Sequence, residues 1–131
     1  MYQIKQSKPF HDQLSIETKT GETKVFDVTI NITPQLAKDY RAIQIKLLEL
    51  NKKHNENKED FSVITGIGEC VVDTMKLLLG EENTKELVEI YDEDYTSMLY
   101  DVFPYINEVI VPEIQKIARE KKQQVKTRFK R

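Results

Sequence analysis

The side chains that could do chemistry in this chain are few and scattered. Among 131 residues there is one cysteine and two histidines. Cys70 falls inside an apolar helical pattern, where a lone thiol is an inert core residue unless a histidine converges on it. His11 and His54 lie in polar segments, and no Ser-His-Asp or Cys-His spacing connects them. The same three residues supply no ligand set with zinc spacing. Gly66-Ile67-Gly68 matches the start of a glycine-rich phosphate loop. Such a cradle needs a preceding strand, a further glycine or a Gly-Lys-Ser/Thr ending, and a helix N-terminus aimed at the ligand. Here the glycines sit within a helical pattern and Glu69 follows them, which would repel phosphate. Close helix packing or a local bend accounts for them better. Asp92 and Asp94 could touch a hard cation, but the acid-glycine pattern of a calcium loop is missing; helix capping and solvation explain them. The expectation is a protein that is not an enzyme and takes no cofactor and no metal.

Binding is the chemistry that remains, and the charge distribution carries it. The whole chain has 20 Lys+Arg and 22 Asp+Glu, a net charge of −2. That total averages three unlike regions. Residues 1–80 are balanced, residues 81–113 carry ten acids against Lys85 alone, and residues 114–131 carry eight bases against Glu120 alone. Such asymmetry marks either an interaction surface or a solvated face with a frayed end. The basic tail, with Lys121, Lys122, Lys126 and Arg128 at its centre, admits three readings. It is a solvated extension, a contact for an acidic protein, or a set of phosphate contacts that release counterions from nucleic acid. Only Phe129 interleaves with the charges, so the stacking platform of a single-strand binder is absent and nucleic acid is the least favoured partner. The acidic region also gathers Tyr91, Tyr95, Tyr100, Phe103 and Tyr105, five of the eleven Phe and Tyr residues. Aromatics at helical spacing serve either as core or as the anchors of a helix-binding groove. The stripe reading places such a groove at Tyr100, Phe103, Ile106 and Ile110, assisted by the tail.

These candidates have to be positioned by a mainly helical α+β fold: an N-terminal β-hairpin packed on a bundle of four to five helices. Over 14–32, period-2 alternation with β-branched residues predicts a half-buried hairpin turning at Lys19-Thr20-Gly21-Glu22, with Phe26, Val28, Ile30 and Ile32 on one face. Thr33-Pro34 reads as N-cap and first helical residue. The stripe Leu36, Tyr40, Ile43, Leu47, Leu50 carries that helix to about 51–54, and the apolar-free run 51–59 is expected to be a loop. Asp60 is the next N-cap, for a helix with the apolar set Phe61, Ile64, Ile67, Val71, Met75, Leu78 and Leu79, closed by Gly80. Asn83 or Thr84 is expected to cap a short third helix through Tyr91. Asp92-Glu93-Asp94 breaks it and places negative charge at the start of a fourth, where the helix dipole favours it. Pro104 is expected to kink or restart that helix, and Pro112 to restart it again. The division is one globular domain over 1–118, hairpin at 14–32 and helices at 34–118, followed by the basic tail at 119–131.

Three runs of residues give the chain a resemblance: Leu77-Leu78-Leu79-Gly80-Glu81-Glu82 ending one helix, the acidic stretch after it, and Asp101-Val102-Phe103-Pro104-Tyr105-Ile106 leading to Ile110-Val111-Pro112. With the hairpin-then-helices order and the Lys-rich C-terminal region, the chain from about Thr33 onward resembles the tail assembly chaperones of tailed phages and prophages of Gram-positive bacteria. That resemblance implies a non-enzymatic role: binding the long, apolar, helical tape-measure protein, keeping it soluble, and helping to recruit tail-tube protein. A longer form made by ribosomal frameshifting is common in such systems, and Lys121-Lys122 is compatible with a slippery message. Self-association into a homo-oligomer stays open. The alternatives are another phage morphogenesis protein, such as a head–tail completion protein, and a nucleic-acid-associated regulator using the basic tail. The first residues lack the apolar run of a signal peptide, and patches such as Val71-Val72 and Leu77–Leu79 are far short of the ~20 residues that span a bilayer. A cytoplasmic protein without membrane contact is the expectation.

Overall fold

A computed structural model of the chain describes residues 1–6, 8–117, 119 and 120. Strand β1 (Phe10–Glu17) pairs antiparallel with β2 (Thr23–Ile30), with Phe10 opposite Ile30 and Leu14 opposite Phe26. The hairpin therefore starts four residues before the expected one and ends two before it. Its turn is closed by the Thr18 amide donating to the Glu22 carbonyl at 2.7 Å. The alternation works as expected: Phe26, Val28 and Ile30 are buried, and Phe10, Leu14 and Ile16 pack half-buried against the same core.

Helix α1 (Pro34–Glu56) begins where Thr33 Oγ1 accepts the Leu36 amide at 3.1 Å, with Pro34 in its first turn. It ends two residues beyond the expected limit of 51–54, inside the polar run 51–59. Lys and Glu are good helix formers that need no buried partner, so a fully polar stretch extends a helix into water until Asn57 caps it. Helix α2 (Phe61–Leu79) follows a four-residue connection. Asp60 Oδ1 accepts both the amide and the hydroxyl of Ser62, at 3.0 and 2.6 Å. These bonds hold the Asp60 carboxyl below its ordinary value; the Ser62 side-chain bond is the main cause.

Gly80 ends α2 at φ 91° and ψ 159°, a backbone region essentially reserved for glycine. Helix α3 (Glu81–Ile90) starts directly after it. Asn83 and Thr84 are therefore inside α3 rather than capping it. Asn83 donates to the carbonyls of Asp27 and Leu79, and Thr84 to that of Gly80, so both tie α3 back to its neighbours. With no side-chain cap present, Glu81 and Glu82 in the first turn complement the exposed amides.

Helix α4 (Tyr95–Tyr105) is capped as expected, with Asp94 accepting the amide and hydroxyl of Ser97 at 3.1 and 2.7 Å. Neither proline then stops the chain. A π-helical turn (Ile106–Ile110) follows α4, and residues 111–117 form α5. The apolar spacing explains this. Met98, Val102, Ile106, Ile110 and Ile114 recur every four residues, and all five are buried. On an α-helix of 3.6 residues per turn, a strict four-residue repeat rotates about 40° per step and would leave the core. One turn with i to i+5 bonding, seen where the Val111 amide donates to the Ile106 carbonyl, resets the phase. The core thus lies between the hairpin's inner face, α2, and the line from Met98 to Ile114, with α2 touching α1, α3, α4 and β2.

Candidate functional site

Of the expected groove residues, only two reach the surface. Tyr100 is 73% exposed and Phe103 is half-buried. Ile106 and Ile110 have no exposed surface at all. They belong to the core, because the π-turn directs both inward, and they do not line a groove. Lys121, Lys122, Lys126 and Arg128 lie outside the described residues.

The other aromatics divide in the same way. Tyr105 donates its hydroxyl to Asp12 at 2.9 Å, joining α4 to β1, and Tyr91 donates to Asp101 at 2.9 Å. Burial, then the adjacent carboxylate, pushes the Tyr91 phenol up to about 12, and the same causes raise Tyr105 well above its ordinary value. Both tyrosines are structural clamps. Tyr95 and Tyr100 face a different environment.

That environment is a groove of about 450 Å³ between the last turns of α1, the first half of α2 and the start of α4. Ile64, Ile67, Gly68 and Leu99 form its apolar floor, Tyr95 and Tyr100 one wall, Asn51 and His54 the other, and Glu93 and Asp94 a rim. The two glycines shape it. A Cβ at Gly68 would sit 3.0 Å from the Tyr95 ring, and one at Gly66 would sit 3.1 Å from Leu50 Cδ1. Gly66 and Gly68 thus lie within α2 and serve close packing, as the helical pattern around them predicts.

The open end of the α1–α2 pair carries apolar surface that the stripe reading assigned to the core. Phe61 is 80% exposed and Ile64 is 42% exposed. The buried face of α2 instead runs through Val63, Cys70, Val71, Thr74, Met75 and Leu78. Phe61 lies one turn before Ile64 on α2, outside the residues that line the groove. Leu48, 69% exposed, stands one turn before Asn51. Sequence reasoning missed Phe61 and Ile64 as surface residues because helical spacing marks an apolar stripe, not whether a neighbour covers it; Leu48 lies outside the α1 stripe.

The rim is acidic, with Lys19 the cation whose charge reaches Asp94. Asp92 and Glu93 adopt left-handed backbone angles, φ 50° and 64°, a region that Asp tolerates and Glu rarely enters. Asp94 is engaged by Ser97, and Asp101 by Tyr91. Glu93 lines the groove with no ion pair or side-chain hydrogen bond among the described residues. On the far wall, His54 Nδ1 is buried with no hydrogen-bond partner among the described residues, an arrangement that costs about 1–3 kcal/mol unless a partner satisfies it.

The hydroxyl–carboxylate pairs among the described residues, Ser62–Asp60, Ser97–Asp94, Tyr91–Asp101 and Tyr105–Asp12, are helix caps and clamps between elements. Cys70 is buried, and that burial raises its thiol pKa, so it is a poor nucleophile. His11 is on the exposed face of β1. No group of three or more His, Cys, Asp or Glu among the described residues could hold a metal ion, and no helix there is long and apolar enough to cross a membrane. No protein family, curated protein or solved structure matches the chain. The site has to be read from its own geometry.

Proposed function

We propose that this protein is a tail assembly chaperone of the Gram-positive siphophage and prophage type, which binds and solubilises the tape-measure protein during tail morphogenesis. The observation that carries this reading is the open end of the α1–α2 pair, where Ile64 and Tyr100 line a groove with an apolar floor and Leu48 and Phe61 stand exposed on the same two helices. Clustered large apolar side chains with a charged border are what a protein needs to hold apolar helices while staying soluble on its own. The resemblance of the Leu77–Glu82 and Asp101–Pro112 segments supplies the client's identity. Cytoplasmic action and recruitment of tail-tube protein belong to the same proposal.

Co-expression with the tape-measure protein of the same gene cluster tests it. The expected result is a soluble complex that co-purifies; a tape-measure protein equally insoluble with and without this chain would sink the reading. Binding to DNA or RNA that falls steeply with salt, in place of a protein complex, would instead favour the regulator reading.

A further inference from the structure

We propose that the groove takes a cationic amphipathic helix, its apolar face on Ile64, Ile67 and Leu99 and a lysine or arginine against Glu93. This rests on the reading of the chain as a client-binding protein and names the chemistry of the segment it holds. The floor supplies apolar contact but little else, so it does not by itself select a partner. Selection comes from the rim. Ten acids against one base occupy residues 81–113, and no ion pair among the described residues neutralises them. Glu93 is the acid in that block best placed to act, because it lines this groove and its side chain, unlike that of Asp94, makes no hydrogen bond among the described residues; it also lines a second groove between α2 and α3, together with Lys76 and Lys85. Its left-handed backbone and that of Asp92 hold the turn at the groove mouth. A carboxylate without a partner beside an apolar floor complements a helix with leucine-like residues on one face and a cation at its border. The same rim repels phosphate and acidic helices.

The chain contains no tryptophan, so a tryptophan in a peptide reports binding without background. The probe is a synthetic Leu/Lys amphipathic helix of about five turns with one tryptophan, titrated with the full-length protein. Wild type is expected to shift the peptide's emission to the blue at saturation. Glu93→Lys and Ile64→Glu should each weaken binding by roughly tenfold or more. Glu86→Lys changes an acid of the same block that lines neither groove, and should leave affinity within about twofold. The matching Leu/Glu peptide should ignore wild type and gain binding to Glu93→Lys. Equal affinity of all three variants for the Leu/Lys peptide would overturn the proposal. So would equal losses at Glu86 and Glu93, which would mean a diffuse acidic field.

The two claims fail separately. If wild type and both groove variants keep the tape-measure protein soluble alike, the chaperone reading stands and the groove assignment falls. If the peptide binds as described while the tape-measure protein stays insoluble, the groove stands and the client falls.

Discussion

The two ends of the α1–α2 pair are built from the same residue types and finished in opposite ways. At one end Tyr40, Met75, Leu78 and Leu79 are buried with β2 and the line of residues from Met98 to Ile114. At the other, Phe61 and Ile64 continue an apolar pattern on α2 and meet no covering element. The closed end is where the hairpin and the π-turn arrive; the open end extends beyond them. Hydrophobic residues at a helical period need a partner to become a core, and a stripe left over is a surface able to recruit one.

That contrast is broken most severely by truncating each end. Ile106→Ala or Ile110→Ala should lower the unfolding free energy by about 2–5 kcal/mol in urea melts, as expected for a cavity in a packed core. Phe61→Ser should change it by no more than about 0.5 kcal/mol. Comparable losses at both ends would mean that the open end is covered in solution. A smaller effect is expected where α4 is clamped to the hairpin. Tyr105→Phe leaves the half-buried Asp12 carboxylate without its donor and should cost about 1 kcal/mol, read by the same melts.

The clamps also set an alkaline limit. A phenol whose pKa is raised in the folded state contributes stability that is fully present below its unfolded value near 10 and is lost as pH rises through the folded one. For Tyr91 that window ends at about 12. Stability should therefore decline from about pH 10 upward, with a shallower slope in Tyr91→Phe, followed by tyrosinate absorbance and circular dichroism together. At the acid side the sign reverses. Asp60 and Asp94 have lowered pKa values, mainly from their Ser62 and Ser97 bonds. Their contributions are present above about 4 and lost as pH falls through the folded values. Asp94→Asn should flatten the acid limb of the stability profile slightly, the least of these effects.

Local signals are legible in the sequence. Thr33-Pro34, Asp60, Gly80 and Asp94 each mark a helix boundary by a mechanism contained within a few residues, and each is found in place. The buried alternation of Phe26, Val28 and Ile30 is local in the same sense. What depended on neighbours was not legible. Asn83 and Thr84 have the right types for caps, but Gly80 allows α3 to begin earlier and frees them to bond Asp27, Leu79 and Gly80. Whether Phe61 and Ile64 are covered is decided by elements far along the chain. The π-turn did leave a trace, the strict four-residue repeat from Met98 to Ile114, which an α-helix cannot keep on one side. Taken at face value, that repeat corrects Ile106 and Ile110 from groove lining to core. Tyr100 alone of the expected apolar set stays fully at the surface, beside residues that the stripe had buried.

The central claim is that the open end holds the client. It is tested most directly by co-expressing the tape-measure protein with wild type, with the Phe61→Glu/Ile64→Glu double variant, and with neither. Both substitutions fall on exposed positions, and an unchanged thermal melt establishes that the double variant is folded. The account predicts soluble, co-purifying tape-measure protein with wild type only. Equal solubility with wild type and the double variant would contradict it.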